Sequence, residues 1–237
     1  MNIDFFKVLT GRRSIRMYRA TAVEKSELYL LVEMAMKAPS SGNLQDYRFI
    51  VCTDKKIIYQ LPEMCMDQMW MSSAPAVIVV CSQPAEQAKW FGERGRHVFS
   101  IQNASAASQN ILLSAHALGL GACWVGGFDQ EQIDELFDVT GKGRVEGLIT
   151  VGYPAEKPEP KEEISIPVGM YFDKFGNTKD DKEARHRDYS VKLERYIEDA
   201  KEQAKDKSSK GKVWLKQMRT KIKEHHDRYK DSMKKKS

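Results

Sequence analysis

The sequence contains little cysteine and no long apolar run. Four cysteines occur in 237 residues, none spaced as a CxxC pair: Cys52, Cys65, Cys81 and Cys123. We therefore predict reduced, structural thiols and no disulfide framework. The most apolar segment, residues 74–81, has the length of a strand and falls short of the roughly 20 residues that cross a bilayer. The first residues lack the basic start and apolar stretch of a signal peptide, so we expect a soluble, cytoplasmic protein with no membrane partner.

Sequence motifs of catalysis are also absent. The histidines accompany no HExxH or Cys/His cluster, so no metal site is predicted. His116, inside an alanine-rich segment, is interpreted as a packed side chain rather than a ligand. No GxSxG, Walker A or GxGxxG sequence occurs. We therefore predict no catalytic residue in the usual sense, and we expect an enzyme of this sequence to take its reactivity from a cofactor.

Charge is distributed unevenly along the chain. Residues 1–172 carry 17 Lys/Arg and 20 Asp/Glu, whereas residues 173–237 carry 21 Lys/Arg and 13 Asp/Glu. A basic tail can indicate a nucleic-acid or anionic-surface partner. Both signs are interleaved in this one, which favours a solvated helical extension over a nucleic-acid-binding segment. We therefore predict two regions, a domain of residues 1–176 and a helical, basic C-terminal extension of residues 177–237.

Apolar spacing within residues 1–176 predicts both helices and strands. The predicted helices are a short one from Phe5 and those of residues 23–38, 100–118 and 130–137; the predicted strands are residues 48–52, 76–81, 122–125 and 146–153. The helix of residues 100–118 is dense in Ala and Ser, which predicts close approach by another helix. Residues 154–167 hold four prolines and are interpreted as an extended arm. The class is α+β or α/β.

The strongest polar signal is Arg12-Arg13-Ser14-Ile15-Arg16. Three guanidinium groups and a hydroxyl within five residues suit a phosphate or another anion, because Arg pairs bidentately with phosphate and keeps its charge. In an extended segment, alternation directs Arg12, Ser14 and Arg16 to one side and Arg13 to the other. The alternative is a solvated basic turn.

Two further segments offer hydrogen-bond donors. Residues 38–45 form a polar loop at a helix end, with hydroxyl and amide groups. Residues 119–128 contain paired glycines directly after a predicted strand, where backbone N–H groups are exposed. Each segment alone is a weak signal.

In this order and at these separations, the segments resemble the FMN-dependent nitroreductase family, which includes NAD(P)H nitroreductases and flavin reductases. The resemblance covers residues 3–176 and rests on six pieces in sequence: residues 12–16, 38–45, 74–79, 107–113, 119–128 and 147–154. It implies an α+β fold with a mixed sheet flanked by helices, built as an intertwined homodimer with FMN at the subunit interface. It also implies a ping-pong reaction, in which NAD(P)H reduces FMN and a nitroaromatic, quinone or related small acceptor follows.

The resemblance also implies roles for three groups of residues. The segment holding the FMN phosphate, ribityl chain and pyrimidine edge matches Arg12, Arg13, Ser14 and Arg16. The loop contributed by the opposite subunit matches Pro39, Ser40, Ser41 and Asn43. The segment beside the dimethylbenzene ring and N5 matches Trp124, Val125, Gly126 and Gly127. A cation near N1 and the C2 carbonyl, most plainly Arg16, would raise the reduction potential of the flavin.

The sequence departs from the family pattern in two places. Where some nitroreductases place polar residues near the flavin, residues 64–71 are rich in Met, which suits an apolar acceptor pocket or a packed core patch. The family arm usually offers an Arg to the phosphate, but Glu162 stands near that position, and Lys161 is the candidate substitute. Two other functions stay open: reductive dehalogenation or flavin processing on the same fold, and a binding module acting through the basic tail.

Overall fold

The computed structural model describes residues 5–159 and 166–177. The chain divides into two units, residues 1–161 and 162–237, and each is described by itself. The α-helices of the first unit are α1 (Phe5–Gly11), α2 (Lys25–Ala35), α3 (Lys55–Ile58), α4 (Leu61–Met64), α5 (Pro84–Arg94), α6 (Ser100–Ala117) and α7 (Gln130–Leu136), and two 3-10 helices span Ser41–Asn43 and Met69–Ser73. Its strands are β1 (Tyr47–Cys52), β2 (Ala76–Ser82), β3 (Gly121–Val125) and β4 (Arg144–Gly152). The described part of the second unit holds α8 (Ile166–Gly169).

The four strands form one sheet in the order β1-β2-β4-β3, and every neighbouring pair is antiparallel. The expectation of a mixed sheet is therefore wrong for the described strands. The parallel contact is a single bridge between Ser14 and Ala122, at the outer side of β3. A single residue pair does not add a strand to the sheet.

β2 lies at the centre of the fold, and all seven of its residues are buried. Alternate residues point to opposite faces of a strand. Ala76, Ile78 and Val80 pack in the core with α2 and α6, whereas Val77 and Val79 pack in the core on the other face, with α3, α4 and α7. The apolar run of residues 74–81 thus supplies two cores at once, as expected of a strand buried on both faces.

α6 packs closely against another helix of the same chain. Its small buried residues Ala104, Ala107 and Ala115 pack with α2 in one core, and Asn110 Nδ2 donates to the carbonyl of Met34 on α2 at 3.1 Å. The close approach predicted from the Ala and Ser content is confirmed, and its partner is α2. This helix composition therefore needs no second subunit to explain it.

The cysteines are structural, as predicted. All four are free and buried. Burial raises the pKa of Cys65 to about 11 and, with smaller contributions from nearby carboxylates, that of Cys81 to about 12. These two thiols are therefore protonated at neutral pH, and buried protonated thiols are poor nucleophiles.

Two features of the sequence analysis need correction. Residues 84–99 form α5 and a π-helical segment, Gly95–Phe99, where no element was predicted. The arm predicted over residues 154–167 is not extended to its end, because Pro167 lies in the helical turn α8.

The predicted extension of residues 177–237 lies outside the described residues except for Asn177. Across the described ranges, no helix is both long enough and apolar enough to cross a membrane.

Candidate functional site

The arginine segment, residues 12–16, directly follows α1 and contacts β3. Ser14 pairs with Ala122, and the backbone N–H of Ile15 donates to the Ala122 carbonyl at 3.0 Å. Ile15 is buried and covers Gly121 so closely that a Cβ on Gly121 would lie 2.8 Å from Ile15 Cγ2. A glycine at this position therefore allows the segment to lie against the strand.

Three side chains of the segment affect the pKa of a thiol on β3, and their predicted alternation stays a prediction. Burial raises the pKa of the Cys123 thiol on β3, while the Arg16 charge, a hydrogen bond from Ser14 and the Arg12 charge oppose that rise. Arg12, Ser14 and Arg16 therefore all act on one residue of the strand. Arg13 is half-buried, and its Nη1 is buried without a hydrogen-bond partner among residues 5–159 and 166–177. A buried donor without a partner costs free energy, so this atom is suited to an anion or another acceptor.

Arg16 is held from its backbone, which leaves its guanidinium exposed. The backbone N–H groups of Arg16 and Met17 both donate to Glu156 Oε1, the second at 3.1 Å. The Arg16 guanidinium carbon lies 5.7 Å from the centre of the Trp70 ring, within the range of a cation–π contact. Neither Glu156 nor Trp70 was predicted as a site residue, because both lie far from Arg16 in sequence.

Residues after Arg16 fix the direction of the segment. The Tyr18 hydroxyl is 2.7 Å from Thr150 Oγ1 on β4 and donates to the Ile15 carbonyl at 2.6 Å. Tyr18 also forms an antiparallel bridge with Pro154. These contacts tie the arginine segment to the end of β4 as well as to β3.

The glycine segment, residues 124–127, begins with the last two residues of β3 and continues beyond the strand. Val125 is buried, Trp124 is half-buried, and a Cβ on Gly147 of β4 would lie 2.6 Å from Trp124 Nε1. The backbone N–H groups of Gly126 and Gly127 are used by no hydrogen bond within the described ranges. Two donors without a partner among the described residues therefore lie at the end of the strand that the arginine segment contacts.

A Met-rich turn, residues 64–71, lies against this glycine segment. A Cβ on Gly127 would lie 2.9 Å from Met66 Sδ, and Gln68 Nε2 donates to the Gly127 carbonyl at 3.4 Å. The Asp129 backbone N–H donates to the Met64 carbonyl at 2.7 Å. Residues 64–70 thus contact Gly127 and, through Trp70, Arg16.

The polar loop at the end of α2 is fixed by buried polar side chains. Pro39 and Asn43 are exposed, and Ser40 and Ser41 are half-buried. The Ser41 backbone N–H donates to Asn103 Oδ1 at 2.9 Å, and Ser40 Oγ accepts from the Gln45 backbone N–H at 3.0 Å. Gly42 and Asn43 have φ of 60° and 55°, the left-handed region that favours glycine and asparagine.

The support beneath this loop is a buried network that sequence reasoning missed. Asp46 Oδ1 accepts from Asn103 Nδ2 at 2.6 Å and from Gln87 Nε2 at 3.0 Å. All three side chains are buried. Phe91 packs on the loop from α5, because a Cβ on Gly42 would lie 3.0 Å from its ring.

Two predicted groups of residues share β3, and the third is held elsewhere in the chain. Residues 12–16 contact this strand at Gly121 and Ala122, and Trp124 and Val125 are its last two residues. No hydrogen bond within the described parts of the chain joins residues 39–43 to either group. Lys161 lies outside the described residues, so its predicted role stays a prediction.

His116 adds a titratable group to the arginine segment. Its ring is half-buried and lies over Gly11, where a Cβ would be 2.9 Å from Nε2. Burial lowers the pKa of His116, and the neighbouring Arg12 lowers it further. The ring therefore packs on Gly11 at the end of α1, as the interpretation of a packed side chain expects.

The chain matches the Nitroreductase family over residues 9–83 and 65–153. A protein of Methanothermobacter thermautotrophicus with the provisional name NADH dehydrogenase/NAD(P)H nitroreductase is 33% identical over 177 residues, which cover 73% of this chain and 88% of that protein. The NADH dehydrogenase of Thermus thermophilus is 28% identical over 182 residues, which cover 65% of this chain and 89% of the relative.

A solved structure agrees with the fold. The FMN-dependent nitroreductase of Clostridium difficile R20291 superposes with a TM-score of 0.62 at 30% identity, covering 72% of this chain and 99% of that chain. The similarity therefore extends over nearly the whole length of that protein.

Proposed function

The chain belongs to the nitroreductase family, and on that premise we propose that it is an FMN-dependent NAD(P)H oxidoreductase that reduces a nitroaromatic, quinone or related small acceptor. The proposal extends to the binding residues and to a homodimer with FMN at the subunit interface. Its support comes from the donors described above and from the relatives' names. When bound, FMN supplies the two-electron redox chemistry. The protein therefore has to bind the flavin, orient it and exclude water.

In this proposal, Arg12, Arg13, Ser14 and Arg16 hold the phosphate, ribityl chain and pyrimidine edge of FMN. The donor set suits such a ligand, because guanidinium groups and a hydroxyl are strong donors to phosphate and carbonyl oxygens. The partnerless Nη1 of Arg13 is the specific observation in favour, since a bound acceptor would satisfy it. Arg16, which is exposed, would add a positive charge that favours added electron density on the ring.

The glycine segment would orient the isoalloxazine ring. Gly126 and Gly127 offer backbone N–H groups with no partner among the described residues, and such donors suit an acceptor nitrogen such as N5. Trp124 and Val125 supply apolar surface at the same end of β3. Reductant and acceptor would then occupy the open side of the ring in turn, and no acid or base side chain is required.

The loop of Pro39, Ser40, Ser41 and Asn43 would serve the flavin of a second copy. It shares no hydrogen bond with residues 12–16 within the described ranges, so a contribution across a subunit interface accounts for its place in the family pattern. Exposed apolar side chains on packed helices also favour a second copy: Phe5, Phe6 and Leu9 on α1, Tyr29 and Leu30 on α2, and Ile101 on α6. Large exposed apolar surfaces are typical of subunit interfaces.

The observation that supports the proposal is the contact of the arginine segment with β3, the strand that leads into two backbone donors without a partner among the described residues, in a nitroreductase-family chain. The test is equilibrium binding of FMN to the purified full-length protein, followed by anaerobic titration with NADH and NADPH. Arg16→Ala should weaken FMN binding about 10–100-fold, the effect of losing one hydrogen bond to a charged group worth about 1.5–3 kcal/mol.

The matched control is Arg19→Ala, because Arg19 Nε donates to the Pro154 carbonyl at 3.2 Å and has no assigned role toward the flavin. This variant should bind FMN as the wild type does. A colourless, monomeric wild-type protein that ignores added FMN would refute the proposal, and equal losses in both variants would refute the assignment of Arg16.

A further inference from the structure

The Met-rich turn divides into a buried part and an exposed part. Met71 is fully buried and Met64 packs against the same core. Met66 and Met69 are instead 74% and 63% exposed. The segment is therefore a core patch at its ends, whereas its middle presents two thioether side chains to solvent.

The backbone of the turn is held in an unfavourable conformation at Met66 and Asp67. Met66 and Asp67 both have φ of 55°, and consecutive left-handed residues other than glycine cost free energy. Hydrogen bonds on both sides maintain the turn, including Gln68 Nε2 to the Cys65 carbonyl at 2.9 Å. Such strain persists only where the surroundings fix it, and it is frequent at ligand sites.

The turn connects the two proposed flavin contacts. Met66 Sδ lies against Gly127, and Trp70 lies beside the Arg16 guanidinium. Any ring held between Gly127 and Arg16 would therefore have residues 66–70 at its side. The surface offered there is two thioethers, an indole and the exposed carboxylate of Asp67.

We propose that Met66 and Met69 form the acceptor-facing wall of the site and select uncharged aromatic acceptors over anionic ones. Thioethers are soft and polarisable and make favourable contacts with aromatic rings. They offer no charge to an anionic substituent, and the charged side chain that the turn itself contributes, Asp67, has the same sign as such a substituent. This inference rests on the proposed function and adds to it the charge class of the acceptor.

The test compares two acceptors that share a nitro group and differ in charge, 4-nitrobenzamide and 4-nitrobenzoate. The measured quantity is the ratio of their kcat/KM values with the full-length holoenzyme. Wild type should favour the amide. Met66→Lys should shift the ratio toward the carboxylate by about tenfold, the effect expected of one unit charge several ångström away in a partly hydrated site. Met66→Leu should keep the wild-type ratio, because it retains the apolar surface.

A binding measurement separates substrate contact from general damage. Dissociation constants of benzamide and benzoate, followed through the flavin absorbance of the oxidised holoenzyme, should shift in the same direction in Met66→Lys. Val51→Lys, which adds the same charge at an exposed apolar position on β1, should change neither ratio. Met69→Lys provides a second variant with the same expected direction as Met66→Lys.

The two proposals fail in different ways. Wild-type protein that binds no FMN would overturn the proposed function and this inference with it. Wild-type protein that binds FMN and is reduced by NAD(P)H, with unchanged acceptor ratios in both lysine variants, would overturn this inference alone.

Discussion

Ile15 packs directly on Gly121, with Ile15 Cβ and both γ carbons within 2.9 Å of where a glycine Cβ would lie. This contact joins the arginine segment to β3, because the Ile15 backbone N–H bonds to the carbonyl of the next residue of the strand, Ala122. The placement of three charged side chains therefore depends on a residue without a side chain. The packing of apolar Ile15 therefore fixes where its polar neighbours, Ser14 and Arg16, are held.

We predict that Gly121→Ala destabilises the protein and weakens FMN binding together. The added methyl group meets the branched Ile15 side chain inside a packed region, and overpacking of this kind costs about 1–3 kcal/mol. Chemical denaturation gives the stability change and flavin fluorescence gives the binding change. Gly126→Ala is the control for stability, because its nearest neighbour to an added Cβ is 3.8 Å away. Equal stability of the two variants would contradict the packing argument.

We predict that His116 makes the protein without flavin less stable in acid. Burial and Arg12 lower the pKa of His116 in the folded chain, whereas an unfolded chain has the ordinary value of about 6.5. Between the two values the unfolded state binds more protons, so this contribution to stability is complete above about pH 6.5 and declines as the pH falls toward the folded value. Denaturant unfolding from pH 8 to pH 5 should show a shallower acid decline in His116→Gln.

Arg12 provides a second check on His116. Because the Arg12 charge is one of the two causes, Arg12→Ala should raise the pKa of His116 toward its ordinary value, as measured by NMR titration of the ring. Identical pH dependence of stability in wild type and His116→Gln, with no movement of the His116 titration in Arg12→Ala, would be inconsistent with the contact.

The parts of the site that the sequence predicts are those with local causes. Alternation within an extended segment is a property of neighbouring residues, so a sequence can predict it without knowledge of the fold. The apolar run of β2 is equally local. Strand burial on both faces follows from it, since every residue of the run is apolar until Ser82.

The parts that the sequence misses depend on distant partners or on weak periodicity. Asp46 meets Gln87 and Asn103 across 41 and 57 positions, and Glu156 meets Arg16 across 140. No spacing rule connects such residues. α5 escaped prediction because most of its residues are not buried and Gly92 interrupts its helical dihedral angles. The mixed sheet came from the family resemblance, and the antiparallel order of the described strands corrects it.

We predict that Asn103 maintains the serine loop, and that Asn103→Ala costs about 2–4 kcal/mol of stability, the sum of a neutral hydrogen bond and one to a charged group. The variant removes the acceptor of the Ser41 N–H and one of the donors to buried Asp46. Asn103→Asp should be at least as harmful near neutral pH, because it places a second carboxylate against Asp46.

Gln109→Ala is the matched control, since Gln109 is an exposed amide on the same helix and alanine is a good helix former. Thermal or denaturant unfolding should leave that control close to wild type, and amide hydrogen exchange at Ser41 should accelerate in Asn103→Ala only. Stability losses of equal size in Asn103→Ala and Gln109→Ala would mean that the buried network does not hold the loop.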